Sequence, residues 1–307
     1  MALNESVELL DGGMGRQLSR MGAPFRLPEW SALALIEAPR FVTAAHEAFI
    51  AAGAQLVTTN SYGVVPHMIG AARFASDGAR LAALAGQLAR DAAGRASAGH
   101  PGRVRVAGSL PPLFASYRPG LFEPAAAARI LEVMVAALAP YVDLWLIETQ
   151  SSTAETGAAL AAVRHTGLPA WVSYTLRDEQ GRVAPAQLRS GEPVADAVAL
   201  DLGRGAHAVL FNCSQPEVMD AAVRAAAAAI AQGPQPRARI GVYANAFTPE
   251  PVSDEPYAGI STFREDLDPE RYLAWASQWV ASGATIVGGC CGIGPEHIAR
   301  LKAHFHG

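Results

Sequence analysis

Cys290 and Cys291 stand side by side in the frame Gly288-Gly289-Cys290-Cys291-Gly292, and the remaining cysteine, Cys213, ends the apolar run 208–213. Both places share one pattern: aliphatic or β-branched residues, then cysteine, then a proline (Pro216 or Pro295) suited to the first turn of a helix. All three thiols are therefore expected where a strand ends and a helix is about to start. Neighbouring side chains on a regular strand point to opposite faces. Cys290 and Cys291 can address one point only if the backbone leaves strand geometry, and Gly288, Gly289 and Gly292 supply that freedom. Three thiolates suit Zn²⁺, which binds cysteine sulfur in a tetrahedron, and three protein ligands leave its fourth position open. Such a centre carries a net charge of about −1. It is a poor Lewis acid for hydrolysis but well suited to hold a further thiol as an electron-rich thiolate, which would attack an electrophilic carbon. Alkyl transfer to sulfur follows. Two plainer readings stand beside this one: cysteines buried as small hydrophobes, and a redox disulfide between Cys290 and Cys291, which leaves Cys213 unexplained.

The elements that must position these thiols are legible as eight strand-like runs, at 7–13, 54–62, 104–110, 144–149, 170–175, 208–213, 240–245 and 284–291. Helical patterns separate them. Phe41, Val42, Ala45 and Phe49 share one face, as do Leu81, Leu84, Ala85 and Leu88, and then Leu131, Met134, Val135 and Leu138. Asp268-Pro269 opens another helix that Gly283 closes. Eight strands alternating with helices fit a single (β/α)₈ TIM barrel over residues 1–307, with its active site at the C-terminal strand ends. The alternative, an open doubly wound sheet, lacks a G-x-G-x-x-G after the first strand. Long segments without periodicity, 14–38, 111–123, 176–192 and 246–268, would all lie at the C-terminal rim. They carry aromatics (among them Trp30, Tyr117, Phe247, Tyr257 and Phe263) able to wall a pocket. Polar residues collect at the same rim: Asp11, Asn60-Ser61, Ser109, Glu148-Thr149, Ser173 and Asn245.

Of 307 residues, 50% are hydrophobic, enough for a full core, and the net charge of −4 with no basic cluster argues against a nucleic-acid partner. No uninterrupted apolar stretch reads as membrane-spanning, and the first residues do not read as a signal peptide. Three cysteines make a secreted disulfide framework unlikely in number alone and favour a reducing, cytoplasmic setting, where clustered thiols mean metal or catalysis.

Taken together, these residues resemble the zinc-dependent homocysteine S-methyltransferases over nearly the whole chain. The matching segments are Leu10-Asp11-Gly12-Gly13-Met14-Gly15, Thr59-Asn60-Ser61-Tyr62, Gly108-Ser109, Glu148-Thr149, Ser173-Tyr174-Thr175-Leu176-Arg177-Asp178, Asn212-Cys213 and Gly288-Gly289-Cys290-Cys291. The resemblance implies a (β/α)₈ barrel in which Cys213, Cys290 and Cys291 bind Zn²⁺ and the homocysteine sulfur takes the fourth position. It further implies that Asp11 and Glu148 receive the substrate ammonium, that Asn60 and Ser61 line the pocket, and that Asn245 approaches the metal when substrate is absent.

The expected activity is methyl transfer from a sulfonium donor such as S-methylmethionine to homocysteine, giving methionine. The partners are then small molecules; the oligomeric state is not indicated. Arg16, Ile293-Gly294 and the stretch 108–119 depart from the familiar pattern on what would be donor-side loops. They leave betaine or S-adenosylmethionine as alternative donors, and selenocysteine or another thiol as alternative acceptor. The chain lacks the C-terminal extension of betaine-using relatives and any cobalamin module. A barrel that binds zinc or thiols without catalysis is the rival from another class; an ammonium pocket would be of no use to it.

Overall fold

The computed structural model describes residues 7–98, 104–179, 184–248, 262 and 264–307. Eight parallel strands form one sheet: β1 (Glu8–Leu9), β2 (Leu56–Thr58), β3 (Arg105–Leu110), β4 (Leu144–Gln150), β5 (Ala170–Tyr174), β6 (Ala208–Asn212), β7 (Arg239–Tyr243) and β8 (Ile286–Val287). The order β1-β8-β7-β6-β5-β4-β3-β2 puts β1 and β2 at the two ends. A parallel bridge from Leu10 to Leu56 closes that seam, with Asp11 N donating to Leu56 O at 3.0 Å and Gln55 N to Leu9 O at 2.8 Å. The (β/α)₈ barrel expected from the strand count is the fold observed.

The period of two divides the core. Leu10, Leu56, Ala107, Leu144, Leu146, Trp171, Ala208, Leu210, Tyr243 and Ile286 fill the barrel interior. The alternate residues, such as Leu9, Val57, Val106, Trp145, Val209 and Val242, pack outward against the helices. At the N-terminal end of the interior Glu8 pairs with both Arg105 and Arg239, and the two guanidinium groups lie 5.3 and 5.8 Å from the Trp171 ring centroid. Charges thus plug the floor, where no chemistry is expected.

The helices begin and end as their sequences dictate. Pro39–Ala52, Pro216–Gln232, Pro269–Ala281 and Pro295–Phe305 all start on proline. Gly53 ends the first of these in a left-handed conformation. After β4, Ser152 and Glu155 cap Thr153–Val163 reciprocally. The helix Pro124–Leu138 is apolar but interrupted by Arg129 and Glu132. With the turn that follows it forms 18 residues of mean hydropathy 1.2, long and apolar enough by composition to cross a membrane. It buries Ala127, Ile130, Leu131, Met134, Val135 and Leu138 in the core shared with the barrel, and Glu132 is exposed on its other side.

The rim segments are less irregular than their sequences suggest. Residues 14–38, read as non-periodic, contain the short helices Met14–Arg20 and Ala32–Glu37. Within 176–192, Leu176 bridges Leu188 in antiparallel fashion. Most of 246–268, including Tyr257 and Phe263, lies outside the described residues. Four of the described rim aromatics pack in pairs, Phe25 with Trp30 at 4.8 Å between centroids and Phe114 with Phe122 at 6.1 Å, whereas Tyr117 and Phe247 face the guanidinium groups of Arg189 and Arg16.

Candidate metal and thiol site

All three cysteines converge at the C-terminal mouth of the barrel, and their sulfurs lie within 4.8 Å of one another. Cys213 follows β6 at φ +49°, a left-handed conformation uncommon for a residue with a Cβ. That turn brings its sulfur across to Cys290, with the two Cα atoms 5.8 Å apart and the sulfurs in bonding contact, while Cys291 is free. The sulfurs in closest contact are those of Cys213 and Cys290, from different strands, rather than those of the sequence neighbours Cys290 and Cys291.

The glycines around the pair act differently from one another. Gly292 takes φ +90°, so conformational freedom is needed there. Gly288 and Gly289 have ordinary φ values. They are needed for space, since a Cβ on Gly288 would meet Leu10 and a Cβ on Gly289 would meet the Ile293 side chain. The backbone beyond β8 is stitched to its neighbours: Gly289 N donates to Asp11 O at 3.0 Å, Cys290 N to Ala244 O at 2.9 Å, and Ala246 N to Cys291 O at 2.8 Å. Tyr272 Oη donates to Gly288 O at 2.6 Å from the helix behind.

The donor set fits a metal. Sulfurs that can bond to one another when oxidised are within reach of one ion when reduced. Tetrahedral zinc with bonds of about 2.3 Å holds its thiolates roughly 3.8 Å apart, inside the span observed here. Burial pushes the Cys291 thiol up to about 12; the charge of Arg16 opposes this and that of Glu148 adds to it. A thiol so placed ionises only when a cation sits beside it. Arg16, on the first turn of Met14–Arg20, lies with its guanidinium 5.6 Å from the Phe247 ring centroid.

Beside the cysteines are two buried carboxylates, Asp11 and Glu148. Asp11 accepts hydrogen bonds from Thr58 N at 2.8 Å and Thr58 Oγ1 at 3.1 Å. Glu148, at the inner end of β4, accepts one from Ser109 Oγ. Burial raises both to about 7; Glu148's charge adds to the rise at Asp11, whereas hydrogen bonds from Thr58 to Asp11 and from Ser109 and Tyr243 to Glu148 oppose it. No cation among the described residues enters the balance at either group. Two buried carboxylates held this way can accept a positive ligand.

The other residues singled out from sequence divide. Asn60 Nδ2 donates to Ser31 O at 3.1 Å, and Asn60 Oδ1 is buried without a partner. The Ser61 hydroxyl is engaged within the protein, donating to Ser109 O at 2.9 Å and touching Thr59 Oγ1 at 2.8 Å. Asn245 is buried after β7, its Oδ1 accepting from Gln215 Nε2 at 3.2 Å. Three residues not assigned a role from sequence complete the site. Asn212 and Thr149 brace Cys213, with Thr149 Oγ1 donating to its sulfur at 3.8 Å. Tyr243, inward on β7, brings a hydroxyl to the carboxylate side. Alternation along β7 from Arg239 through Gly241 marks Tyr243 as inward-facing, a signal present in the sequence.

Comparison with known proteins agrees with this geometry. Residues 8–305 match the family model described as homocysteine S-methyltransferase. The chain is 31% identical to the homocysteine S-methyltransferase of Escherichia coli strain K12 across 97% of this chain and 95% of that one. It is 26% identical to homocysteine S-methyltransferase 1 of Arabidopsis thaliana across 96% and 92%. The metallated form of the Escherichia coli homocysteine methyltransferase MmuM superposes with a TM-score of 0.76 at 28% identity, covering 97% of this chain and 96% of that one. The chain belongs to the homocysteine S-methyltransferase family, enzymes that move a methyl group onto the sulfur of homocysteine.

Proposed function

We propose that this enzyme uses Zn²⁺ held by Cys213, Cys290 and Cys291 and takes its methyl group from a sulfonium donor such as S-methylmethionine, in the cytoplasm. The observation that carries the reading is the convergence of three sulfurs within 4.8 Å beside two carboxylates that no cation among the described residues neutralises. When bound, the metal would lower the pKa of the substrate thiol so that sulfur is presented as thiolate. Asp11 and Glu148 hold the substrate ammonium, which fixes the amino-acid end and leaves the thiol end toward the cysteines. Ser109 and Thr58 keep the two carboxylates in place. The substrate sulfur attacks the methyl carbon, the carbon–sulfonium bond breaks, and the donor leaves as a neutral thioether. Holding both reactants in line supplies much of the rate. The cationic donor is favoured by the negative thiolate cluster and by aromatic rim faces. Betaine would leave as an amine, a poorer leaving group.

The test is a mass-spectrometric assay of methionine formation from homocysteine with S-methylmethionine, S-adenosylmethionine, dimethylsulfoniopropionate and betaine in turn. A sulfonium should give the fastest turnover. Betaine matching or exceeding every sulfonium would overturn the donor assignment.

A further inference from the structure

Tyr243 ends β7 on the inner face, in register with Asn212 of β6. Its ring packs in the barrel interior with Leu10, Leu56 and Leu210, a cluster that Cys290 borders. The side chain is 4% exposed, and its buried hydroxyl makes no hydrogen bond of good geometry among the described residues, although Glu148 and Ser173 lie within interaction reach of it. A buried phenol normally finds a partner. The charges of Glu148 and Asp11 both act on this one, and together with burial they hold it well above the ordinary tyrosine range. Tyr243 therefore shares the polar pocket of the two carboxylates; its one proton can go to Glu148, which leaves the lone pairs of its oxygen to accept from a ligand.

A substrate ammonium has three N–H donors, and two carboxylates account for two of them. We propose that Tyr243 is a substrate-binding residue whose hydroxyl oxygen accepts the third N–H of the homocysteine ammonium, with Asp11 and Glu148 accepting the others. This rests on the reading of homocysteine as acceptor with its amino group toward the carboxylates. A neutral phenol suits the third place, because a third carboxylate would add charge that one ammonium does not neutralise. The substrate carboxylate is excluded from this corner by the two charges already there.

Tyr243→Phe keeps the ring and removes only the oxygen. Homocysteine and its des-amino analogue 4-mercaptobutyrate are titrated against metal-loaded wild type and Y243F, with metal content measured alongside. Homocysteine should bind roughly 10- to 100-fold more weakly to Y243F, the range for losing a hydrogen bond to a charged group. 4-Mercaptobutyrate affinity should change less than about threefold, and metal content should hold. Unchanged homocysteine affinity, or equal losses for both thiols, would overturn the assignment and make Tyr243 a packing residue. Should Y243F not fold, wild type reads the same contact with N-methylhomocysteine, which has one N–H fewer and should bind about tenfold more weakly than homocysteine; equal binding overturns the proposal. Wild type that binds 4-mercaptobutyrate but gains nothing from the amino group would instead remove the orientation reading, and this inference with it.

Discussion

Thr149 and Asn212 hold each other by two hydrogen bonds across the barrel mouth: Thr149 N donates to Asn212 Oδ1 at 3.0 Å, and Asn212 Nδ2 donates to Thr149 Oγ1 at 2.8 Å. Thr149 takes φ +59° to do so, and its hydroxyl proton goes to the sulfur of Cys213. Ser173 Oγ adds a bond to Asn212 Oδ1 at 2.8 Å. A chain from Asn212 through Thr149 thus ends on a proposed metal ligand, and both Thr149 and Cys213 occupy left-handed backbone conformations that cost free energy. Loss of such outer partners typically weakens metal binding about 10- to 100-fold. Thr149→Val should do so in a competition titration with a chromophoric chelator, while leaving the fold intact by circular dichroism. Unaltered metal affinity would show that the network only closes the barrel.

Metal content itself is open to a simple check. Purified protein should carry about one Zn²⁺ per chain, and Cys290→Ala or Cys291→Ala should lose most of it, because three thiolates are the whole donor set. Elemental analysis reads this directly. Full occupancy in both variants would place the metal elsewhere.

In the proposed reading, Glu148 serves recognition of the amino acid and not activation of the thiol. Removing one partner of a desolvated charge pair costs on the order of 2–5 kcal/mol, a loss of roughly 30- to 3000-fold in affinity. Glu148→Ala should lose homocysteine affinity in that range, keep its metal, and lose far less affinity for 4-mercaptobutyrate. Equal losses for the two thiols, or loss of metal, would assign Glu148 to the site's structure.

The same carboxylate should make the substrate-free protein pH-sensitive. Its pKa of about 7 in the folded state lies above the unfolded value near 4.5. The folded state therefore binds the extra proton, and stability falls as pH rises between those two values. Above pH 7 the buried group is ionised at a cost that a neutral isostere does not bear. Glu148→Gln should gain on the order of 1–3 kcal/mol over wild type at pH 8 and much less at pH 5, a stability bought back from function. Urea melts at the two pH values check this. A gain of the same size at both would contradict the assignment.

Much of this was legible in the sequence because a barrel repeats one grammar. The Gly-Gly-Cys-Cys-Gly frame and the run ending at Cys213 both mark strand ends, and a barrel gathers its strand ends at one rim. Asp11 and Glu148 were visible for the same reason. What escaped depends on contacts between strands distant in sequence. Asn212 and Thr149 are 63 residues apart, and nothing in either segment announces their pairing. Tyr243 reads as an ordinary inward aromatic until its buried hydroxyl is found beside Glu148. The helices Met14–Arg20 and Ala32–Glu37 escaped because about two turns leave too few residues to establish a period. The approach of Cys213 to Cys290 goes with the left-handed turn at Cys213, which a sequence of apolar residues ending in cysteine does not encode visibly.

The central claim is that the three cysteines hold a metal whose remaining position takes the sulfur of homocysteine. Visible absorption of Co²⁺-substituted protein tests it most directly, since sulfur-to-cobalt charge transfer reports each thiolate bound. The account predicts tetrahedral Co²⁺ bands with cysteine charge transfer in the free enzyme, and added charge-transfer intensity when homocysteine binds, with methionine failing to produce it. A spectrum unmoved by saturating homocysteine, in protein shown by titration to bind it, would contradict the claim.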